Sequence, residues 1–351
     1  MRAFENRTVR LLLLMWILGS LTVVLQAYVG HSTIYSTELQ DRREELHRAI
    51  LLNDAPGGGR WDAAGAKSMH LRIGAVYLAE AIHELTHLEL GTVYLLIDTV
   101  FLFAAVLALF FYLRKWLPDT YCVIGVLYFC SVLPLTYFLH YFHPYDRIQL
   151  AIWIFLLYLT RERRLILLGA SLAISVAIKF DTLVLPIFYF LAYARPENWR
   201  RVGVETVGLF VIAFSVYMAL VSAFPAPLDQ ARLNIAMMAY IVKQNIADML
   251  AKNIAFPPLL GYAAPLVLSL VHLATRDRFL RASVWFACTL AIVFFVFSLY
   301  QEIRAQLVIL VLIMPAALLT VRSILEPSTQ RDACRKHESD ASLPALEKTR
   351  C

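Results

Sequence analysis

Charge is scarce in this chain. Of 351 residues only 17% are Asp, Glu, Lys or Arg, while 60% are hydrophobic; soluble domains sit near a quarter charged and about half apolar. The mean hydropathy is +0.64. That balance excludes an ordinary soluble domain. Cysteine is also scarce. The five residues Cys122, Cys130, Cys288, Cys334 and Cys351 are odd in number and scattered, which excludes a disulfide framework and shows no metal-ligand spacing. Internal repeats are absent, and so is a second soluble domain. The net charge of +6 is spread over short clusters between apolar blocks, so it is not the continuous basic face that nucleic-acid binding requires.

What is present is a series of apolar blocks with charged punctuation. The run from Leu11 to Gly30 is long enough to cross roughly 30 Å of hydrocarbon as a helix. It follows Arg2, Arg7 and Arg10, but it exceeds a usual signal-peptide core and lacks a small-x-small cleavage site, so it reads as a retained anchor. The pattern predicts an all-α polytopic membrane bundle of about ten spans, at about 10–30, 92–113, 119–139, 146–160, 164–179, 182–194, 202–223, 256–274, 282–299 and 304–322. Residues 1–325 form one transmembrane unit. Residues 326–351 are polar, without apolar periodicity, and read as a disordered cytoplasmic tail.

The positive-inside rule orients this bundle. With the N-terminus cytoplasmic, the cytoplasmic connections are Arg114-Lys115, Arg161 to Arg164, Arg195 to Arg201, Arg276 to Arg281 and the tail after Arg322. Each is short and basic, or is the basic tail. The opposite side receives 31–91, 140–145, the turn at Lys179 to Asp181, 224–255 and Gln301-Glu302, with mixed or acidic charge. A missed span would mix the two sets.

The first outer loop, 31–91, is the one large hydrophilic segment. It carries Glu38, Asp41, Glu44 and Glu45, then the break Pro56-Gly57-Gly58-Gly59, then Arg60 and Asp62. Glu38, Asp41 and Glu45 share one face of a helix, and Leu39, Leu46 and Ile50 occupy another part of the wheel. That predicts an interfacial amphipathic helix with its carboxylates toward a cavity; Glu44 faces away from the other three. A second amphipathic segment spans Leu71 to Leu90, beginning beside Arg72.

Ionic groups at membrane depth cost several kcal/mol unless paired or facing water, so their positions carry information. Three turns on the outer face hold them. One has His140, His143, Asp146 and Arg147; one has Lys179 and Asp181; one has Glu302 and Arg304. Each could be a local ion pair at a span end. Together, with opposite signs on one face, they read as the walls of a single cavity.

A competing motif is His83-Glu84-Leu85-Thr86-His87, an HExxH match. On a helix its histidines lie one turn apart and could grip zinc, with Glu84 as general base. His70, Glu89, Asp98 and His143 are conceivable third ligands, and none completes a metalloprotease pattern.

The layout resembles the GT-C superfamily of integral-membrane glycosyltransferases, which take sugars from polyprenyl-phosphate carriers. It is similar to uncharacterised bacterial members in His47 to Pro56 (HRAILLNDAP), in Arg60-Trp61 followed by an apolar half-helix, in Asp146 opening a later span, in Lys179-Phe180-Asp181-Thr182, and in Glu302-Ile303-Arg304. The likeness covers most of residues 1–322. It departs where relatives commonly carry Glu at the position of Asp181, and where a tyrosine-arginine pair is replaced by Arg60-Trp61-Asp62.

The resemblance implies a glycosyltransferase in a bacterial inner membrane with both termini cytoplasmic. It would move a sugar from a polyprenyl-phosphate donor to a glycan or lipid acceptor on the periplasmic face, with inversion. A loop carboxylate serves as base, with Asp41 ahead of Glu38 and Glu45 and Asp146 as rival; Arg60, Arg72, Lys179 and Arg304 meet the phosphate, with His143, Asp181 and Glu302 in the same wall. No Asp-x-Asp pair occurs, and such enzymes do not all need metal, so a divalent cation stays open and zinc belongs to the protease alternative. A transporter or flippase without catalysis is the third reading; it predicts charges deep inside several spans, and nearly all charges here lie at span ends.

Overall fold

The computed structural model describes residues 11, 14–17, 19–22, 44, 45, 47, 48, 50–52, 72–133, 145–223, 235–250, 259–297 and 303–326, with a few side chains inside those helices left out. Among the described residues every regular element is helical. Helical residues between 11 and 22 and between 44 and 51 precede α1 (Ile73–Thr86) and α2 (Leu90–Leu113). Next come α3 (Asp119–Val132), α4 (Asp146–Glu162) and α5 (Leu165–Ile178). A 3-10 turn (Phe180–Val184) leads to α6 (Leu185–Tyr193), then α7 (Trp199–Ala223) and α8 (Ile235–Leu250). A π turn (Leu259–Ala263) opens α9 (Ala264–Leu270), and a 3-10 turn (Leu273–Thr275) precedes α10 (Arg278–Phe297) and α11 (Ile303–Leu325).

Four helices are long and apolar enough to cross a membrane: α2, α7, residues Arg278–Val296 of α10 and residues Gln306–Leu325 of α11. The protein is thus a helical membrane protein, but the expected count of about ten spans is met only in part. The remaining apolar helices are short. α5 has 14 residues and rises about 21 Å, well under the roughly 30 Å of hydrocarbon.

The helices sort into inner and outer layers. α11 is 72% buried along its apolar window and α7 only 17%, so α7 turns most of its surface outward and α11 lies inside. α4 packs most extensively on α2 and also meets α5 and α11. The main apolar core joins Leu109 and Phe110 of α2, Ile154 of α4, Phe188 of α6 and Leu312 of α11. Apolar burial drives little association where lipid is the alternative neighbour, so close packing at small residues matters. At Gly125 a Cβ would stand 2.7 Å from both Leu113 Cδ1 and Leu318 Cδ1, which is why α3 sits so tightly on α2 and α11.

The basic connections gather at one end. Lys115 Nζ meets Glu162 Oε1 at 2.8 Å, Arg161 meets Asp277 at 3.4 Å, and Arg163 meets Glu205 at 3.1 Å. Trp116 Nε1 donates to the same Asp277 at 2.8 Å, and Tyr121 Oη donates to Glu326 at 3.1 Å. The ends of α2, α4, α7, α10 and α11 are tied together there. Arg72, Asp146 and the turn at 179–181 lie at the other end of the bundle. α8, inside the predicted loop 224–255, is a helix the periodicity did not suggest; Asn245 Nδ2 donates to Phe295 O at 2.7 Å and fastens it to the far end of α10.

Candidate functional site

The outer end holds a connected polar network, built where two short apolar helices meet. α5 stops at Ile178, and Lys179 takes an extended conformation (φ −161°, ψ 122°) before the 3-10 turn. A cation just past a helix C-terminus complements the carbonyl dipoles. Asp146 occupies the first turn of α4 and Asp181 the first turn of the 3-10 segment, where a carboxylate complements the free N–H groups.

Lys179 Nζ lies 3.4 Å from Asp146 Oδ1 and 3.6 Å from Asp181 Oδ2. One ammonium thus bridges two carboxylates from different elements, with its side chain only 17% exposed. Gln149, one turn along α4, locks the turn. Its Nε2 donates to Asp181 Oδ1 and, at 3.1 Å, to the Lys179 carbonyl, while Ser175 Oγ donates to its Oε1 at 3.3 Å. Trp153 Nε1 also donates to Asp181 Oδ1, at 3.4 Å.

Arg72 reaches the same place from just before α1. It donates to Tyr145 Oη, and its guanidinium carbon lies 4.4 Å from the Tyr145 ring centre and 5.8 Å from that of Phe180. Lys179 Nζ lies 5.5 Å from the same Tyr145 ring, so two cations flank one aromatic face. Gly74 permits this approach. A Cβ there would stand 2.9 Å from Ile178 Cγ1 and 3.0 Å from the Ala177 carbonyl oxygen, so α1 touches the backbone at the end of α5. Beneath the polar layer, Ala75, Ala79, Val93, Tyr145, Ile148 and Ile178 form a small apolar cluster.

The α5 rise of about 21 Å places the Lys179 turn below the full depth of a bilayer measured from the basic end. α2, with 24 residues, rises about 36 Å and extends past it. The apolar cluster beneath the network joins residues of α1, α2, α4 and α5 at this end, and the pairing of its charges is what ionic groups at membrane depth require.

A second polar cluster fastens the first loop, and sequence reasoning did not single it out. His47 is buried, with Nδ1 2.7 Å from Tyr94 Oη and Nε2 2.8 Å from Glu80 Oε2. The partners select the neutral tautomer: Nε2–H donates to the carboxylate and Nδ1 accepts from the phenol. Burial lowers the His47 pKa below its usual value, and the Glu80 hydrogen bond opposes that only in part. Ile50 packs against Val76 beside it. The loop helix thus docks through Ile50, as its apolar face predicted; the signal for His47 was its place one turn before Ile50.

Of the candidate residues, Arg72, Asp146, Lys179 and Asp181 come together. Glu45 is exposed, and Glu44 pairs locally with Arg48 at 3.5 Å. Arg304 stands in the first turn of α11, at the same end of the bundle as Asp146. Glu38, Asp41, Arg60, His143 and Glu302 lie outside the described residues.

The HExxH expectation of two histidines one turn apart on a helix needs correction. α1 ends at Thr86, and His87 is its cap with φ 57°. That left-handed φ swings Cβ by about a third of a turn from the helical direction. His83 Nδ1 is engaged with the Leu88 carbonyl at 2.6 Å. Among the described residues no group of three His, Cys, Asp or Glu side chains is placed to hold a metal ion.

Comparison of the chain with protein-family models, curated proteins and solved structures gives no match.

Proposed function

We propose that this protein is a membrane glycosyltransferase that moves a sugar from a polyprenyl-phosphate donor to a glycan or lipid acceptor at the outer end of the bundle. The observation that carries this reading is the convergence of Arg72, Asp146, Lys179 and Asp181, from three separate stretches of the chain, at the end of the bundle opposite the basic connections. The GT-C resemblance supplies the reaction class. Ten spans, with the N-terminus cytoplasmic and the Lys179 end periplasmic in a bacterial inner membrane, belong to the same proposal.

In the proposed step the acceptor hydroxyl attacks the anomeric carbon from the side opposite the phosphate. A loop carboxylate takes the hydroxyl proton. The bond from the anomeric carbon to the phosphate oxygen breaks, and its electron pair leaves on the phosphate. Arg72 and Lys179 supply the charge that meets it, as preorganised cations do in a site closed to water; Arg60 and Arg304 are assigned to the same wall. Asp146 and Asp181 already hold Lys179, so we assign them to positioning that cation. Proton removal then falls to Asp41, ahead of Glu38 and Glu45, and Asp146 remains the rival base.

Sugar transfer in membranes containing Asp41→Asn or Asp146→Asn protein tests the assignment. Asp41→Asn is expected to lower turnover by about a hundredfold or more, the range of a lost general base. Full activity in both variants would defeat the choice of base.

A further inference from the structure

The end of the bundle opposite Lys179 has a cavity of its own, of about 380 Å³, lined by Arg161, Arg163, Arg195 and Arg278 together with Tyr193 and Asn198. That volume falls within the range of small-molecule sites. Four guanidiniums face one lining carboxylate, Asp277. Asp277 is already occupied: it pairs with Arg161, accepts from Trp116 Nε1, and caps α10 by accepting from the Leu280 N–H at 2.8 Å. Glu205 takes Arg163, yet it also takes Arg201 at 3.0 Å and the Tyr189 hydroxyl at 2.6 Å. Arg195 and Arg278 make no ion pair among the described residues. Among the described residues Arg278 donates only to the Leu191 carbonyl, at 3.4 Å.

Two of the four cations are also held rigidly. The Arg161 guanidinium carbon lies 5.0 Å from the Trp116 ring centre and 5.4 Å from that of Phe279, and that of Arg163 lies 4.9 Å from the Tyr193 ring centre. Planar, preorganised guanidiniums suit the paired oxygens of a phosphate. The cavity also borders a lipid-directed stripe, since Ile187 and Leu191 of α6, one turn apart, are both exposed.

We propose that this cavity is a binding site for a phosphate-bearing anion, either the headgroup of an anionic phospholipid or a soluble phosphate ester. Basic pockets between spans at this side of a membrane suit such headgroups. The site is separate from the Lys179 network and does not depend on the transfer reaction.

The test is thermal unfolding of the full chain in neutral detergent, titrated with phosphatidylglycerol, with glycerol 3-phosphate and with inorganic phosphate; phosphatidylcholine is the comparison. A saturable rise in Tm is expected with at least one phosphate probe and not with phosphatidylcholine. A rise with phosphatidylglycerol alone assigns the lipid headgroup; a rise with the soluble esters assigns a free anion. The double variant Arg195→Ala with Arg278→Ala removes two cations that no carboxylate needs, and it should raise the half-saturating concentration about tenfold or more, the loss of one charge-assisted hydrogen bond or more. Arg322→Ala removes a charge from the same end outside the cavity and should leave titration unchanged. An equal loss with Arg322→Ala would show a surface-charge effect and overturn the proposal. So would the absence of any shift, or an unchanged response in the double variant. Should the double variant unfold without ligand, Arg195→Lys with Arg278→Lys replaces it: weaker binding at retained charge supports guanidinium recognition, and unaltered binding refutes it.

Discussion

Lys179→Met is the most informative single change. It removes the ammonium and keeps the length of the stem, so packing changes little. What remains is two carboxylates, Asp146 and Asp181, that had shared one cation at 3.4 and 3.6 Å. At an effective dielectric of about 20, one such pair is worth about 5 kcal/mol before desolvation is counted. Removing one partner of a buried ion pair costs about 3–5 kcal/mol. The side chains of Asp146 and Asp181 are 14% and 26% exposed, so the lower end applies, about 3 kcal/mol. The assay is thermal unfolding in detergent alongside sugar transfer in membranes. The triple change Lys179→Met, Asp146→Asn, Asp181→Asn removes all three charges, and it should recover most of the lost stability because no orphaned charge remains. Transfer should not recover, since the cation that meets the phosphate is still missing; a lost donor of this kind costs about a hundredfold or more in turnover. Wild-type stability in Lys179→Met with both aspartates intact would refute the bridging argument. Wild-type transfer in the triple variant would refute the catalytic one.

Gly74→Ala places a methyl 3.0 Å from the Ala177 carbonyl oxygen. Because that neighbour is backbone, α1 must move; the expected cost is about 1–3 kcal/mol, with quenched transfer through the displaced Arg72, measured by the same two assays. His47 is buried neutral and its pKa is lowered. The stability it lends to the docked loop helix is therefore complete above about 6.5, the unfolded value, and declines as pH falls through 6.5 toward the folded pKa. Hydrogen exchange of residues 44–52 should rise at pH 5.5 relative to 7.5 after correction for intrinsic rates, and His47→Gln should abolish the difference; equal protection at both pH values would contradict it. Single cysteines replacing Lys115 and Arg195 should label from one side of the membrane, and one replacing Arg72 from the other. Labelling of all three from one side would end the two-ended description.

The apolar blocks and charged borders were enough to place most of the described helices, though not to settle how many of them span a membrane. Low charge and blocked hydropathy dictate a bundle, and the predicted spans 92–113 and 202–223 fall within α2 and α7, because apolar length and breakers are local properties. The grouping of basic connections was also legible, since the charge bias is written in the short loops, and the ties among Lys115, Glu162, Arg161 and Asp277 bring those connections to one end. α8 was not legible, because its apolar face is partial and its partner α10 is distant in the chain.

Which charges meet was decided by tertiary structure. Sequence placed Asp146, Lys179 and Asp181 at span ends, but a bridging ammonium depends on α4 and α5 packing side by side with Gln149 filling the gap. His47 had no role in the sequence beyond opening the segment HRAILLNDAP; Glu80 and Tyr94, from two other helices, enclose it. HExxH looked like a helical pair until a left-handed cap at His87 re-aimed one ring. Local pattern fixes where a helix runs, because its hydrogen bonds are to near neighbours; it leaves open which remote side chains meet, because that follows from how helices of unequal length pack.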